Sequence, residues 1–134
     1  MAKITTIEGI GPDIARKLGE AGVSSVEALL KRGATKEGRQ ALAAAAGLSE
    51  ERVLRWVNNA DLMRVRGVGE EYAELLEAAG VDSVPELAQR NPKNLHEAMA
   101  KANAERKLVR LLPSDKLVGR WVEHARTLPR VVTH

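Results

Sequence analysis

The sequence contains no cysteine and no phenylalanine, and its aromatic residues are two tryptophans and one tyrosine. Without cysteine, a disulfide framework and a thiolate-based zinc or iron–sulfur site are both excluded. No apolar run approaches the length of a membrane span, and the first residues lack the hydrophobic core of a secretory signal. We therefore expect a cytoplasmic protein that has no membrane partner.

Motifs that carry catalysis are also missing. There is no Gly-rich phosphate loop ending in Lys, no nucleophile elbow and no paired-carboxylate pattern. The histidines, His96, His124 and His134, are scattered and have no acidic cluster in metal-ligand spacing. The sequence therefore predicts a protein that is not an enzyme and that has no metal and no cofactor.

What the chain does contain is small and aliphatic. Hydrophobic residues make up 44% of it, mostly Ala, Leu and Val, and they show no sustained alternation with polar residues. Prolines at 12 and 92 suit the first position of a helix, and glycines at 22, 47 and 80 suit the left-handed end of one. Good N-cap residues are Thr35, Ser49, Asn91 and Ser114. These patterns predict an all-α protein.

The chain repeats itself. Residues 7–29 match residues 65–87 at a constant offset of 58, and residues 49–57 match residues 114–122 at an offset of 65. The second copy therefore carries about seven additional residues between 91 and 112. We expect two tandem modules of about five short helices each, residues 1–61 and 62–134, related as a pseudo-repeat. One long helix, from Glu50 to Val65, is expected to join them.

Each module begins with a Gly-hydrophobic-Gly pattern. We call Gly9–Ile10–Gly11 the first Gly turn and Gly67–Val68–Gly69 the second Gly turn. Glycines permit a tight turn with backbone conformations closed to other residues, and the apolar residue between them fills the gap between two helices. A small alanine follows each turn at the same spacing, which lets the helices approach closely. The pattern is typical of the helix-hairpin-helix motif.

Over nearly its full length the chain resembles a family of uncharacterised, mainly bacterial proteins with tandem helix-hairpin-helix domains. The resemblance is carried by IEGIGP at residues 7–12, WVNNADLMR at 56–64, GVGEEYAELL at 67–76 and QRNPKNL at 89–95. It implies a fold rather than an activity. In the wider superfamily the hairpin grips the nucleic-acid backbone without reading sequence, and the resemblance implies the same candidate role here.

Backbone N–H groups of the two turns would point at a phosphate beside a helix N-terminus. The candidate binding residues are Gly9, Ile10, Gly11, Arg16, Lys17, Arg64, Arg66, Gly67, Val68 and Gly69. Acidic residues oppose this role, since Asp13 follows the first turn and Glu70 and Glu71 follow the second. The sequence therefore favours the first turn as the phosphate candidate and a structural role for the second.

A basic region lies further along the chain. The net charge is −5 over residues 61–88 and +6 over residues 89–134. Lys101, Arg106, Lys107 and Arg110 cluster within it, and if the helix continues to residue 111, Arg106 and Arg110 share a face. Such a face would follow a phosphate backbone, or it would be an ordinary solvated surface.

The tryptophans occupy equivalent repeat positions, each within Arg-Trp-Val, at Trp56 and Trp121. Exposed aromatic rings would stack on single-stranded bases. Symmetric placement inside amphipathic helices favours buried core positions instead, and a partly buried position is expected for Tyr72.

Two functional hypotheses remain open. The first is a non-enzymatic module that binds the nucleic-acid backbone independently of sequence. The alternative is a protein-interaction or scaffold module, with a homodimer as one form of it, in which both turns are purely structural and the charge asymmetry drives association. A small-molecule binder in the groove between modules is a third reading. The residues do not identify a partner or a pathway.

Overall fold

The structure, a computed structural model, describes residues 2–134; Met1, the first residue of the predicted first module, lies outside the described residues. Within this range the chain forms eight α-helices and no β-strand, with only an isolated bridge between Lys3 and Ser25. A 3-10 helix, Ile4–Thr6, comes first. It is followed by α1 (Pro12–Glu20), α2 (Val26–Arg32), α3 (Lys36–Ala46), α4 (Glu50–Leu62), α5 (Glu70–Ala78), α6 (Val84–Ala88), α7 (Pro92–Arg106) and α8 (Asp115–Thr127). The prediction of an all-α protein is confirmed.

Local sequence explains where most helices begin and end. The predicted N-cap side chains each accept a hydrogen bond from the backbone N–H three residues later. The two prolines lie in the first turn of α1 and of α7. Glycines 22, 47 and 80 have φ of 90°, 68° and 96°, as helix ends in the left-handed region require.

The first unit runs to Asp61 and also includes Val131–His134. Its 3-10 helix packs on α1, and both α1 and α2 pack on α3. The sequence repeat predicts that residues 131–134 belong to the second module. They join the first unit because Val132 is buried and the Thr133 N–H donates to the Ala34 carbonyl at 2.8 Å.

The second unit comprises Leu62–Arg130. Helix α8 packs against α6 and α7, and α5 packs against α7. Its core is a continuous cluster of buried aliphatic side chains around Trp121. None of the helices within residues 2–134 is long and apolar enough to cross a membrane.

The two units close the same internal turn in the same way. In the first, the Val23 N–H donates to the Leu18 carbonyl at 2.8 Å, and in the second the Val81 N–H donates to the Leu76 carbonyl at 2.9 Å. All four residues are buried. The repeat at offset 58 is therefore present in the backbone hydrogen bonds of each unit.

Two predicted helix ends are wrong. Helix α4 ends at Leu62, three residues before the predicted end, because the Val65 N–H donates to the Leu62 carbonyl and tightens the chain into a turn. The second unit has four α-helices of its own, α5 to α8, where about five short helices were predicted.

Helix α7 ends at Arg106, and residues 107–111 are not helical. The predicted face shared by Arg106 and Arg110 needed a helix that continued to residue 111. Lys107 follows in the left-handed conformation, with φ 52° and ψ 48°. The Asn103 side chain then holds both backbone groups of Val109, at 2.9 and 3.1 Å. These two hydrogen bonds turn the chain away from the helix axis, and the predicted basic helical face is absent.

Candidate functional site

The first glycine of each Gly turn is required by conformation and by packing. Gly9 has φ 91° and Gly67 has φ 89°, in the region that side-chain-bearing residues rarely adopt. A Cβ on Gly9 would lie 3.2 Å from Nε1 of Trp56, and one on Gly67 would lie 3.1 Å from Nε1 of Trp121. The two indoles are 2% and 0% exposed, which confirms their prediction as core residues.

The second glycine of each turn is different. Gly11 and Gly69 have extended φ values of −86° and −92°, and a Cβ on either would meet nothing within 4 Å. The expectation that the turn needs both glycines for their unusual conformation is therefore wrong for these two. Each is instead the N-cap residue of the following helix, α1 or α5, with open space around it.

The backbone N–H groups of each turn divide into two kinds. Those of Ile10 and Val68 are engaged inside the turn, where they donate to the carbonyls of Ile7 and Val65 at 3.1 and 3.0 Å. Both of these candidate residues are also buried, so they fill the gap between helices as predicted. The N–H groups of Gly11 and Gly69 donate to no backbone acceptor among residues 2–134. The same holds for the N–H groups of Gly9 and Gly67, so the engaged N–H group of each turn is that of its apolar residue.

The start of α1 and of α5 lacks the side-chain cap that the other helices have. Neither helix receives a side-chain hydrogen bond at its N-terminus within the described residues. The six other α-helices are each capped by a serine, threonine or asparagine: Ser25, Thr35, Ser49, Ser83, Asn91 and Ser114. A serine hydroxyl at position 11 or 69 would occupy the N–H groups that glycine leaves open.

Beside the first Gly turn, the basic candidates are paired within their own helix. Arg16 contacts Asp13 at 2.9 Å and Glu20 at 3.0 Å, and Lys17 approaches Asp13 at 3.8 Å. The hydrogen bond from Arg16, and then the charge of Lys17, hold the pKa of Asp13 below its ordinary value. Asp13, Arg16 and Glu20 are well exposed and Lys17 is partly exposed, so the pairs contribute little to stability. They nevertheless compensate the positive charge next to this turn.

On the α5 side of the second unit, basic residues share a groove with the first turn of α5. The groove has a volume of about 620 Å³ and is lined by Glu71, Tyr72 and residues 107–111. We call it the α5 groove. Lys107 and Arg110 lie in it, both exposed, and neither forms an ion pair within the described part of the chain. Tyr72 is half-buried as predicted, and its ring lies 5.1 Å from that of Trp121.

A second concave surface lies between the second Gly turn and α8. Its volume is about 460 Å³, and the lining residues are Arg66, Gly67, Leu117, Arg120, Glu123, His124 and Thr127. We call it the Arg66 cavity. The backbone N–H of Arg66 donates to Nδ1 of His124 at 2.9 Å, which ties the turn to α8.

A family model described as Domain of unknown function (DUF4332) matches residues 8–128, a range that contains both Gly turns. The chain belongs to the DUF4332 family. No curated protein and no solved structure matches it at a significant level.

The remaining candidate residues of this DUF4332 chain are dispersed. Arg64 donates from Nη2 to the Pro129 carbonyl at 2.6 Å, so its guanidinium is turned to its own unit. Lys101 and Arg106 are exposed on α7 and line neither the α5 groove nor the Arg66 cavity. Of the four basic candidates between 101 and 110, the fold brings two, Lys107 and Arg110, next to α5.

Sequence reasoning missed two residues of this DUF4332 chain, Arg120 and His124, that the structure places in the Arg66 cavity. A signal was present in the repeat. At offset 65, His124 corresponds to Asn59, and at offset 58, Arg66 corresponds to Glu8. A comparison of the two copies for positions where the residue changes type would have indicated Arg66 and His124, but not Arg120, which corresponds to Arg55.

No arrangement for metal chemistry is found among residues 2–134 of this family member, where no three His, Cys, Asp or Glu side chains converge. His96 is engaged in structure: one ring nitrogen contacts the Pro113 carbonyl at 2.9 Å and the other contacts Asp115 at 3.0 Å. The surfaces that remain for a ligand include the two open helix starts, the α5 groove, the Arg66 cavity and a smaller hollow of about 290 Å³ in the first unit, which Lys36, Glu50 and Glu51 help to line.

Proposed function

We propose that the chain is a non-enzymatic pair of helix-hairpin-helix modules that binds the nucleic-acid backbone without reading sequence. The observation that carries the proposal is the contrast in capping. Six helices have a side-chain cap, whereas α1 and α5, which follow the Gly turns, have a glycine with open space around it.

A phosphate is the ligand that suits such a helix start. The first N–H groups of a helix have no partner within it, and the helix dipole makes this end positive. Because the second glycine has no side chain, a phosphate oxygen can approach the backbone closely. Neither conformation nor packing requires glycine at positions 11 and 69. Close access of a ligand to the backbone would explain why both positions are glycine.

The distribution of charge favours the second unit as the stronger site. Arg16 and Lys17 are paired with Asp13 beside the first turn. In the α5 groove, Lys107 and Arg110 form no ion pair among residues 2–134, and their two charges outnumber that of Glu71, the one carboxylate in the groove lining. This ordering reverses the one that the sequence favours, because the fold adds these cations from a segment about forty residues away in sequence.

The test is fluorescence anisotropy of a labelled DNA duplex titrated with the protein at several salt concentrations. Gly69→Ser supplies the N-cap that α5 lacks, so we expect the free energy of unfolding to rise by a few tenths of a kcal/mol, roughly the difference between Ser and Gly caps. The same hydroxyl competes for the N–H groups, so duplex affinity should fall by about twofold to tenfold.

Gly19→Ser is the matched control. Gly19 lies near the exposed end of α1, where a Cβ meets only Ser24 Oγ at 3.8 Å. This control should leave duplex affinity unchanged. No binding by the unsubstituted chain even at low salt would reject the proposal. Equal affinity of Gly69→Ser and the unsubstituted chain would show that α5 does not contact the phosphate.

A protein-interaction function is the second candidate, and one observation favours it. Leu111 is 78% exposed, the one large hydrophobic side chain so exposed among residues 2–134, and it lines the α5 groove beside Tyr72. An apolar side chain in a groove of mixed polarity suits a protein contact. Light scattering over a range of protein concentrations, with Leu111→Ser as the variant, tests self-association. A monomer at high concentration would contradict it.

A further inference from the structure

The Arg66 cavity brings two arginines together beside the second Gly turn. Arg66 and Arg120 both line it, and neither guanidinium forms an ion pair within the described residues. Glu123 is the single carboxylate in the lining. The cavity therefore presents two unpaired guanidinium groups against one negative charge.

His124 adds a third donor, in an orientation that the backbone determines. The Arg66 N–H donates to Nδ1 at 2.9 Å, so this nitrogen must offer a lone pair. A neutral imidazole that accepts at Nδ1 carries its proton on Nε2, which leaves Nε2–H as the donor of the ring. The Thr127 hydroxyl adds no donor, because it donates to the His124 carbonyl at 2.7 Å.

The repeat shows that two of these three donors are not needed to build the turn. The first unit forms the same Gly turn over the same buried indole, yet it has Glu8 in place of Arg66 and Asn59 in place of His124. Arg120 has a counterpart in the first unit, Arg55. Arg66 and His124 are thus additions of the second copy, and they place a second guanidinium and an imidazole beside an arginine that both copies have.

We propose that the Arg66 cavity binds a phosphoryl group, with Arg66 and Arg120 as charged donors and His124 as a neutral donor. Guanidinium groups bind phosphate oxygens through paired N–H donors, and a volume of about 460 Å³ accommodates a phosphate together with part of the molecule that carries it. The phosphoryl group belongs either to a small phosphate ester or to a nucleic-acid strand end. The site does not depend on the nucleic-acid function proposed above.

The two tryptophans provide an internal reporter. Nε1 of Trp121 lies 3.1 Å from the position of a Cβ on Gly67, which lines the cavity, and it has no hydrogen-bond partner among residues 2–134. Trp56 holds the equivalent position in the first unit. In a ¹H–¹⁵N spectrum of the full chain, inorganic phosphate should shift the Trp121 indole resonance in a saturable way and leave Trp56 in place. Sodium chloride at equal ionic strength should shift neither.

Arg120→Gln and Arg66→Gln should each weaken phosphate binding by about tenfold, the effect expected when a charged hydrogen bond is removed. Lys93→Gln removes the same charge from an exposed position on α7 and should have no effect. A Trp121 resonance that phosphate does not move, or an affinity that Arg120→Gln leaves unchanged, would overturn the proposal.

An oligonucleotide with and without a 5′-phosphate distinguishes the two sources. If only the phosphorylated strand shifts the Trp121 resonance, and Arg120→Gln abolishes the shift, the ligand is a strand end. If inorganic phosphate binds but neither strand does, the ligand is a small phosphate ester. In both cases the nucleic-acid function is decided separately, by the anisotropy titration of the duplex.

Discussion

At the residue scale, the two glycines of each turn meet different physical requirements. Gly9 and Gly67 combine positive φ with a close approach to an indole, whereas Gly11 and Gly69 have ordinary φ and open surroundings. A Gly-x-Gly pattern read from sequence treats the two alike. Substitution with alanine separates a glycine needed by the fold from one whose replacement the fold tolerates.

We expect Gly9→Ala and Gly67→Ala each to lower the free energy of unfolding by about 1–2 kcal/mol, the cost of a side chain in the left-handed region. Gly11→Ala and Gly69→Ala are the matched comparisons, and they should lower stability less, by about 0.5 kcal/mol, because they lose only the preference for glycine over alanine at an N-cap. Urea unfolding followed by tryptophan fluorescence measures all four. Equal decreases at the first and second glycines would contradict this division.

At the element scale, Arg39 holds the segment Val131–His134 on the first unit. The guanidinium is 4% exposed and donates to three backbone carbonyls, those of Gly33 at 2.9 Å, Ala34 at 3.3 Å and Thr133 at 2.8 Å. A buried cation that bridges a loop and a terminal segment needs the planar fork of arginine. This segment therefore depends on a residue of α3 that local sequence does not link to it.

Arg39→Lys tests this anchor, because the charge is kept and the planar fork is removed. We expect the free energy of unfolding to fall by about 1.5–3 kcal/mol, the range for hydrogen bonds to a charged group. Arg32→Lys is the control, since Arg32 is exposed and donates to the Ala21 carbonyl at 3.1 Å. Urea unfolding of both variants, read from the Trp56 indole resonance, gives the comparison. Equal effects would show that Arg39 does not anchor the segment.

The same scale shows which helix ends can be predicted. The sequence predicts N-caps such as Thr35 and Ser114 correctly because the start of a helix depends on residues within one turn of it. The end of α7 was missed because Lys107, not glycine or asparagine, occupies the left-handed position. Its cause is the pair of hydrogen bonds between Asn103 and Val109, and no composition rule signals that pair.

At the scale of the whole molecule, the internal repeat was the strongest information in the sequence. It predicted the matched turns and the equivalent burial of both tryptophans, because repeated sequence must satisfy the same local packing twice. It did not predict the hydrogen bond between Thr133 and Ala34, which are 99 residues apart. It also did not predict that Arg120 and His124 share the Arg66 cavity, since tertiary packing alone brings them to the turn.

Two double variants separate the effect of overall charge from the effect of where the charge lies. Lys107→Ala with Arg110→Ala, and Lys101→Ala with Arg106→Ala, both reduce the net charge from +3 to +1. Only the first pair lies in the α5 groove. If phosphates are bound there, the slope of log affinity against log salt for a duplex should fall by about 0.9 for each phosphate that the first double variant no longer neutralises.

The second double variant should retain the slope of the unsubstituted chain in the same anisotropy titration. Long-range attraction depends on total charge and would weaken equally in both variants, whereas counterion release depends on which cations touch phosphate. An equal decrease in the two variants would therefore assign any affinity to the general basic character of residues 89–134. A decrease confined to the first would assign it to the α5 groove beside the second Gly turn.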